Sequence, residues 1–241
     1  MADRALIVNA DDFGLSAGVN AGVARTHEEG ILTSASLMVG QPGAEQAAAY
    51  ARATPALGVG LHVDLGEWVR RDGAWTPVYE VVPIDGDPQA VEAEVRGQLA
   101  RFRALTGREP THLDSHQHVH NWESVTEVFQ RLATQLRVPL RHHLGGVAYC
   151  GDLYGHDEHG RPIPEAITAA ALIQIIGSLA PGVTELACHP GIGADTGSPY
   201  GREREQEVGV LCDPGIAEAL RREGIALRSF ADVVSDGIGA R

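Results

Sequence analysis

The sequence predicts an α/β fold in which about seven parallel strands form a (β/α) barrel rather than a doubly wound sheet. Short apolar runs rich in β-branched residues alternate along the chain with longer helical stretches, the order typical of βα units. The runs are continuous and do not alternate with polar residues, as expected for parallel strands covered on both faces. At 241 residues the chain suits one compact domain, 1–241, with its site at one rim of the barrel.

Seven runs of mainly apolar residues are predicted as the strands. In chain order they cover residues 5–9, 32–39, 57–65, 111–114, 138–141, 183–188 and 225–228. Neither an internal repeat nor a low-complexity tract interrupts this series.

Six helices are predicted between the strands, at Ala17–Glu29, 43–53, Pro88–Thr106, 123–136, 164–179 and Pro214–Glu223. The third is the clearest, because four apolar residues recur in it at helical spacing, namely Val91, Val95, Leu99 and Phe102. Pro88 and Gly107 bracket it as start and stop signals. Three long segments, 66–87, 142–162 and 189–202, are predicted as loops, and long loops in a compact domain are often binding loops or lids.

The composition excludes several kinds of chemistry. All nineteen basic residues are arginine, and the chain contains no lysine. This excludes a Schiff-base lysine, a Walker lysine under a nucleotide phosphate, and a kinase lysine or a Ser-Lys dyad.

The formal net charge of −13 argues against a nucleic-acid partner and against an anionic membrane surface. The sequence has no apolar stretch near the ~18 residues that a membrane span needs. Its three cysteines, Cys150, Cys188 and Cys212, are scattered and form no Cys-X-X-Cys pair. We therefore expect a cytoplasmic protein. The sequence does not determine the oligomeric state, for which a homodimer is the working expectation.

The reactive side chains fall at the carboxyl ends of the predicted strands. They are Asp11 and Asp12 after the first strand, His62 and Asp64 on the third, Asp114, His116, His118 and His120 on or after the fourth, Arg141, His142 and His143 on or after the fifth, and His189 after the sixth. Because the carboxyl ends of parallel strands converge on one face of the fold, these residues are predicted to build one site.

A group of histidines and aspartates without cysteine pairs indicates a divalent-metal site with open positions for water and substrate. Such an ion polarises a carbonyl or provides hydroxide near neutral pH. The pair Asp11-Asp12 suggests a division of labour, in which one carboxylate binds the ion while the other acts as general base. A histidine on another strand can then be the general acid.

Five segments carry a further signal. They are Asn-Ala-Asp-Asp-Phe-Gly at 9–14, Gly-Ile-Leu-Thr-Ser-Ala-Ser at 30–36, Gly-Leu-His at 60–62, His-Leu-Asp-Ser-His-Gln-His-Val-His at 112–120 and Cys-His-Pro-Gly at 188–191. With these segments in this order between Leu6 and about Phe230, the chain resembles the YdjC-like carbohydrate deacetylases, a family that includes chitooligosaccharide deacetylases.

The resemblance implies a distorted TIM-like barrel and the metal-dependent hydrolysis of an N-acetyl group on an amino sugar, in an oligosaccharide or a glycoconjugate. By their positions in the motifs, Asp12, His62 and His116 are the expected metal ligands, Asp11 the base and His189 the general acid. One divalent ion is expected, Mg²⁺ or Zn²⁺. Two imidazoles and a carboxylate favour zinc, cobalt or nickel, whereas the family is often associated with magnesium.

Other residues of the motifs receive supporting roles. Arg141 is expected to orient Asp11, and Asp114 to accept a hydrogen bond from a ligand histidine. His120 is expected to contact substrate or to support a ligand; a ligand role stays open because it lies four residues after His116. The remaining expectations are structural: packing for His112 and His118, solvent or loop positions for His27, His156 and His159, and a buried, inert thiol for Cys188.

Other functions stay open on the residues alone. The segment His62-Val63-Asp64 with a distant histidine fits the 2-His-1-carboxylate pattern of Fe(II) oxygenases, although such sites usually belong to all-β folds. Another metal-dependent hydrolase, or a sugar-binding or metal-buffering protein without catalysis, would carry similar ligands.

Overall fold

The fold is built on one parallel sheet. The computed structural model describes residues 4–71, 74–143, 146–157, 160–193 and 200–235. Its strands are β1 (Arg4–Phe13), β2 (Ser34–Leu37), β3 (Gly58–Val63), β4 (Gly66–Arg71), β5 (Ala74–Glu80), β6 (Leu113–Ser115), β7 (Val147–Cys150), β8 (Gly182–Cys188) and β9 (Ile225–Leu227). Seven of them pair in parallel in the order β6-β3-β2-β1-β8-β7, with β9 beside β1. The sheet curls, which confirms a distorted (β/α) TIM-like barrel.

The described helices are α1 (Ala17–Glu29), α2 (Ala44–Ala53), α3 (Pro88–Thr106), α4 (Thr126–Leu136), α5 (Ala169–Ser178), α6 (Gly201–Leu211), α7 (Pro214–Glu223) and α8 (Phe230–Ser235), with 3₁₀ helices at His116–Asn121 and Pro164–Ala166. The predicted bounds of α1, α3 and α7 are confirmed. In α3 the Asp87 side chain accepts a hydrogen bond from the first turn, and Gly107 ends the helix in the left-handed conformation. These signals are local, so the sequence alone reveals them.

The strand predicted at 138–141 is wrong. Here the chain forms only a single parallel bridge between Leu140 and Leu113. Pro139 has no N–H to donate to a ladder, and both Arg137 and His142 have positive φ values, 57° and 67°. The chain therefore turns on either side of the bridge and leaves the barrel incomplete beside β6.

The three segments predicted as loops contain regular structure. β4 and β5 form an antiparallel hairpin within 66–87, β7 lies within 142–162, and α6 begins within 189–202. β5 contains Pro77 and is largely exposed, so it shows neither the apolar run nor the unbroken pattern of a sheet strand.

The core lies on both faces of β1. On one face, Leu6, Val8 and Ala10 belong to the main apolar core, which includes residues of α1 to α5. On the other face, Ile7 packs with Phe230 and Val233 of α8. Successive side chains of a strand point to opposite faces, so β1 is buried on both. Its carboxyl end is thereby held between β2 and β8, in the middle of the sheet.

None of the helices in the described residues is both long enough and apolar enough to cross a bilayer.

Candidate active site at the carboxyl ends of the strands

β1 ends in a bulge that directs Asp11 and Asp12 to different partners. The pairing with β2 shifts register between Ala10 and Phe13, so that the two aspartates oppose the single residue Ser36. Asp12 has a φ of 62°, in the left-handed region that aspartate tolerates better than most residues. Both side chains are almost fully buried, so each carboxylate requires partners of its own.

Asp12 lies against two histidines. Its Oδ1 is 3.6 Å from Nε2 of His62 and 3.1 Å from Nδ1 of His116, and its Oδ2 accepts a hydrogen bond from Arg204 at 2.6 Å. One ligand atom from each of Asp12, His62 and His116 lies within 4.8 Å of the others. Burial opposes ionisation of Asp12, but Arg204 and the histidines hold its pKa well below the usual range. A carboxylate and two imidazoles at this spacing can hold a divalent ion.

His62 is oriented by Asp114. Nδ1 of His62 lies 2.8 Å from Oδ1 of Asp114, as predicted for a carboxylate behind a ligand histidine. The proton is thus kept on Nδ1, and Nε2 is left to face Asp12. Burial disfavours the charged ring, but Asp114 and Asp12 outweigh it and raise the pKa of His62 to about 10. An ion that binds Nε2 must therefore displace a proton at neutral pH.

Arg141 holds Asp11 from behind. Its Nη1 and Nη2 donate to the two oxygens of Asp11 at 2.7 Å each, so the predicted contact between these residues is present. The same guanidinium lies 2.9 Å from Asp114 and 2.5 Å from Glu185. Burial opposes ionisation of Asp11, but Arg141 holds its pKa below the usual value. At Glu185 burial prevails over Arg141 and raises the pKa to about 7.

His189 completes the group from β8. Its Nε2 lies 3.9 Å from Oδ2 of Asp11, and its backbone N–H donates to Glu207 of α6. Glu207 also accepts a hydrogen bond from the hydroxyl of Tyr200 at 2.5 Å. Burial lowers the pKa of His189 to about 4, so the ring is neutral at pH 7.

These groups border one cavity of about 850 Å³. Its lining includes Asp11, Asp12, His116, His189, Tyr154 and Tyr200. The rings of Tyr154 and Tyr200 are stacked, with centroids 4.8 Å apart and planes 8° from parallel. The two tyrosine rings form an aromatic wall of the cavity next to His189, with ring centroids 5.5 and 5.6 Å from that of the imidazole.

The chain matches the model of the family described as YdjC-like protein over residues 5–222. It belongs to the YdjC-like family. A carbohydrate deacetylase from Geobacillus stearothermophilus is 34% identical to this YdjC-like chain, over 95% of the chain and 98% of the relative. A chitooligosaccharide deacetylase from Salmonella agona is 33% identical, over 96% and 100%.

A solved structure supports the fold. The crystal structure of a proposed cellobiose-phosphate cleavage protein from Enterococcus faecalis superposes with a TM-score of 0.77, covering 96% of this YdjC-like chain and 99% of that one at 24% identity. At this identity the likeness establishes the barrel fold alone.

Some predicted site residues lie apart from the cavity of the YdjC-like chain. The Asp64 carboxylate accepts hydrogen bonds from Gln41 at 2.8 Å and Tyr79 at 3.0 Å, and it is not grouped with His62. The sequence pattern His62-Val63-Asp64 therefore does not assemble the three-ligand iron site. His120 is fully buried, with Nδ1 2.7 Å from the Ser115 hydroxyl.

The other histidines lie outside the group of proposed ligands. His112 packs against Phe230, with ring centroids 3.9 Å apart, which confirms its structural position. His156 lies in a loop, as expected, but it is not solvent-exposed, because its side chain is only 6% exposed and lies 3.3 Å from Glu203. His27 is half-buried, with Nδ1 2.8 Å from the Leu32 carbonyl, and His159 lies outside the described residues. Cys188 is fully buried, and burial raises the pKa of its thiol well above the usual value.

Sequence reasoning missed four polar residues of the site: Arg204, Glu207 and Tyr200 at or on α6, and Glu185 on β8. Arg204 is a second buried cation at the site, besides Arg141. One signal was present, because Glu185 interrupts an apolar strand and a buried carboxylate there needs a partner. The α6 residues gave none, since a charged segment usually marks a solvated helix face.

Ser16 has a structural role despite its sequence context. The segment Gly14-Leu15-Ser16-Ala17-Gly18 has the form of a serine hydrolase elbow. The Ser16 hydroxyl instead accepts a hydrogen bond from the backbone of Val19 at 3.1 Å and caps α1.

Proposed function

We propose that this protein is a hydrolase that uses a divalent metal ion to remove an N-acetyl group from an amino sugar. The observation that carries the proposal is the juxtaposition of Asp12, His62 and His116 with Asp11 and His189 at one cavity. The names of the two deacetylase relatives support the choice of reaction and of a carbohydrate substrate.

The proposed metal ligands are Asp12, His62 and His116. Their donor set fits the task, because Asp12 is ionised and Nε2 of His62 faces it with Nδ1 already bonded to Asp114. Two imidazoles and one carboxylate suit Zn²⁺ and also accept Mg²⁺ less favourably. A bound divalent ion would polarise the acetyl carbonyl and make a neighbouring water more acidic.

Asp11 is the proposed general base. Both of its oxygens are held by Arg141, and its lowered pKa keeps it ionised at neutral pH. A carboxylate so fixed accepts a proton from a water molecule in the cavity without having to move.

His189 is the proposed general acid, which donates a proton to the amine as the carbon–nitrogen bond breaks. Its neutral resting state means that it must gain a proton during turnover. Asp11 lies 3.9 Å from Nε2, so the proton taken from water is close to where it is needed. Glu207 fixes the backbone of His189 in this position.

The aromatic wall is the proposed contact for the sugar ring. Tyr154 is 40% exposed and stacks on Tyr200 inside the cavity. A flat aromatic face suits the apolar face of a pyranose ring. N-Acetylglucosamine oligomers are therefore the first substrates to test, followed by other N-acetylated sugars and glycolipids.

The test is the release of acetate from N-acetylglucosamine oligomers by protein loaded with Zn²⁺ or Mg²⁺ and by chelator-treated protein. We expect release only with metal, and its loss in Asp12→Asn but not in the exposed control Asp85→Asn. If neither these oligomers, nor other N-acetylated sugars or glycolipids, nor small amides yield metal-dependent acetate, the proposal fails.

A further inference from the structure

A second group of imidazoles lies beside the candidate active site. The rings of His118, His120 and His142 form a triangle, with centroid separations of 5.3 Å for 118–142 and 5.9 Å for both 118–120 and 120–142. One nitrogen from each ring lies within 4.8 Å of the others. Asp12, His62 and His116 are not part of this group.

The triangle has nearly the dimensions of a three-histidine metal site. With zinc–nitrogen bonds of ~2.0–2.1 Å and tetrahedral angles, three imidazole centroids would lie ~5.2 Å apart. The observed separations exceed this by less than 1 Å. The spacing of the three rings is therefore compatible with one shared ion.

Two buried ring nitrogens of the triangle lack a hydrogen-bond partner among the described residues. They are Nδ1 of His118 and Nε2 of His120, and His120 is fully buried. Buried polar atoms without a partner are uncommon in folded proteins and require an explanation.

The other nitrogen of each of these two rings lies at hydrogen-bonding distance from a hydroxyl group. Nδ1 of His120 lies 2.7 Å from the Ser115 hydroxyl, and Nε2 of His118 lies 3.2 Å from the Tyr149 hydroxyl. Such contacts fix the ring and leave the opposite nitrogen as the coordinating atom, the arrangement found behind metal-bound histidines.

We propose that His118, His120 and His142 bind a second ion, a transition metal such as Zn²⁺, separate from the ion held by Asp12, His62 and His116. Three imidazoles without a carboxylate suit Zn²⁺, Co²⁺, Ni²⁺ or Cu²⁺ and disfavour Mg²⁺ and Ca²⁺, which prefer oxygen ligands. The fourth position is open to water.

The ion would have a structural role. His118 lies two residues after His116, and His142 directly follows Arg141. The ion thus connects the 3₁₀ helix that carries a proposed metal ligand to the turn that carries the arginine behind Asp11. All three backbone positions Gln117, His118 and His142 have positive φ values, so both connected segments hold unfavourable conformations that a cross-link stabilises.

The test measures metal stoichiometry rather than activity. Metal-free protein is titrated with Zn²⁺ and with Co²⁺, and bound ions are counted by calorimetry and elemental analysis after desalting. We expect two equivalents for the wild type, one for His142→Ala and one for Asp12→Asn. With Mg²⁺ in place of zinc, the triangle should take up none.

His143→Ala is the matched control. Its ring is adjacent in sequence, but Nε2 faces the Asn121 amide at 2.8 Å and Nδ1 faces Gln130 at 3.3 Å. This variant should keep both equivalents. A count for His142→Ala equal to that of the wild type would overturn the proposal, whether the wild type binds one ion or two.

A second measurement distinguishes loss of a metal ligand from misfolding of the variant. In the Asp12→Asn background only the triangle should bind, so Co²⁺ should give visible absorption bands typical of tetrahedral nitrogen coordination, and Zn²⁺ should raise the melting temperature. Both effects should vanish in Asp12→Asn/His142→Gln, in which an amide replaces the imidazole. Persistence of either effect in the double variant also counts against the site.

Discussion

The guanidinium of Arg141 donates to both oxygens of Asp11 at 2.7 Å each, and it does so from a fully buried position. The same side chain touches Asp114 and Glu185. One cation therefore orients the proposed base and, through Asp114, the histidine that faces Asp12. The positions of both halves of the site depend on this one residue.

Replacing Arg141 by lysine tests that dependence. Lysine keeps the charge but cannot make two parallel bonds to one carboxylate, so Asp11 loses its fixed position. With one charge-assisted hydrogen bond lost, at roughly 1.5–3 kcal/mol, we expect kcat to fall about 10- to 100-fold while the metal content is retained. Steady-state kinetics and elemental analysis check this, with the exposed Arg96→Lys as control. Unchanged kcat would contradict the positioning role.

The two adjacent aspartates should separate into two phenotypes. Asp11→Asn removes the proposed base, so kcat should fall by roughly 10²–10⁴ while metal binding is retained. Asp12→Asn weakens the proposed metal site, so the ion held with His62 and His116 should be lost at micromolar zinc concentrations. Calorimetry and acetate release measured together distinguish them. A protein that only binds sugar or metal would show no turnover in the wild type for Asp11→Asn to remove.

Metal binding should release a proton. The pKa of His62 is raised to about 10, so at pH 7 the ring is protonated before the ion binds. We therefore expect metal affinity to rise about tenfold per pH unit between pH 6 and pH 8. Calorimetry in two buffers of different ionisation enthalpy would count the proton, and a count of zero would rule out this state of His62.

Asp114→Asn should weaken the metal without removing a ligand. The amide no longer holds the proton on Nδ1 of His62 by charge, so metal affinity should drop about 10- to 100-fold. The pH dependence should also become shallower, because Asp114 is the strongest influence that raises the pKa of His62. Asp64→Asn, at a carboxylate that faces away from the cavity, is the control. An affinity equal to that of the wild type would assign Asp114 a purely structural role.

Glu207 should make the protein less stable as the pH rises. Burial raises its pKa from 4.5 to about 8, so between these values the folded protein keeps a proton that the unfolded chain has released. The free energy of unfolding then falls with rising pH, by up to about 1.4 kcal/mol per pH unit for one proton. Denaturant unfolding of wild type and Glu207→Gln from pH 5 to pH 8 should show the shallower slope in the variant. Parallel slopes would mean that Glu207 is already ionised in the folded protein.

Much of the site could be predicted because its residues follow strands at the carboxyl edge of a parallel sheet. Asp114 was predicted to accept a hydrogen bond from a histidine of the site, and the structure identifies that histidine as His62, because β3 and β6 pair with His62 opposite Asp114. The contacts from α6 could not be foreseen, because Arg204 and Glu207 lie on a helix whose buried face is charged. Only the tertiary fold brings that face to Asp12 and His189.

The secondary structure shows the same contrast between features set by local sequence and features set by tertiary contacts. Helices with capping residues at both ends could be bounded from local chemistry, as α3 and α7 were. The segment at 138–141 has the composition of a strand, but its neighbours Arg137 and His142 adopt left-handed conformations. Whether this short apolar run becomes a strand depends on the space beside β6 in the folded protein. That space cannot be deduced from the sequence.

The bulge at the end of β1 has a consequence for how this chain tolerates change. Deleting either Asp11 or Asp12 would remove the extra residue of the bulge, restore regular pairing with β2 and leave the sheet able to form. The deletion would also leave one carboxylate where two now face different partners. At the bulge, natural selection therefore acts on the number of residues as well as on their types. A chain that is one residue shorter there would fold but would lack the activity.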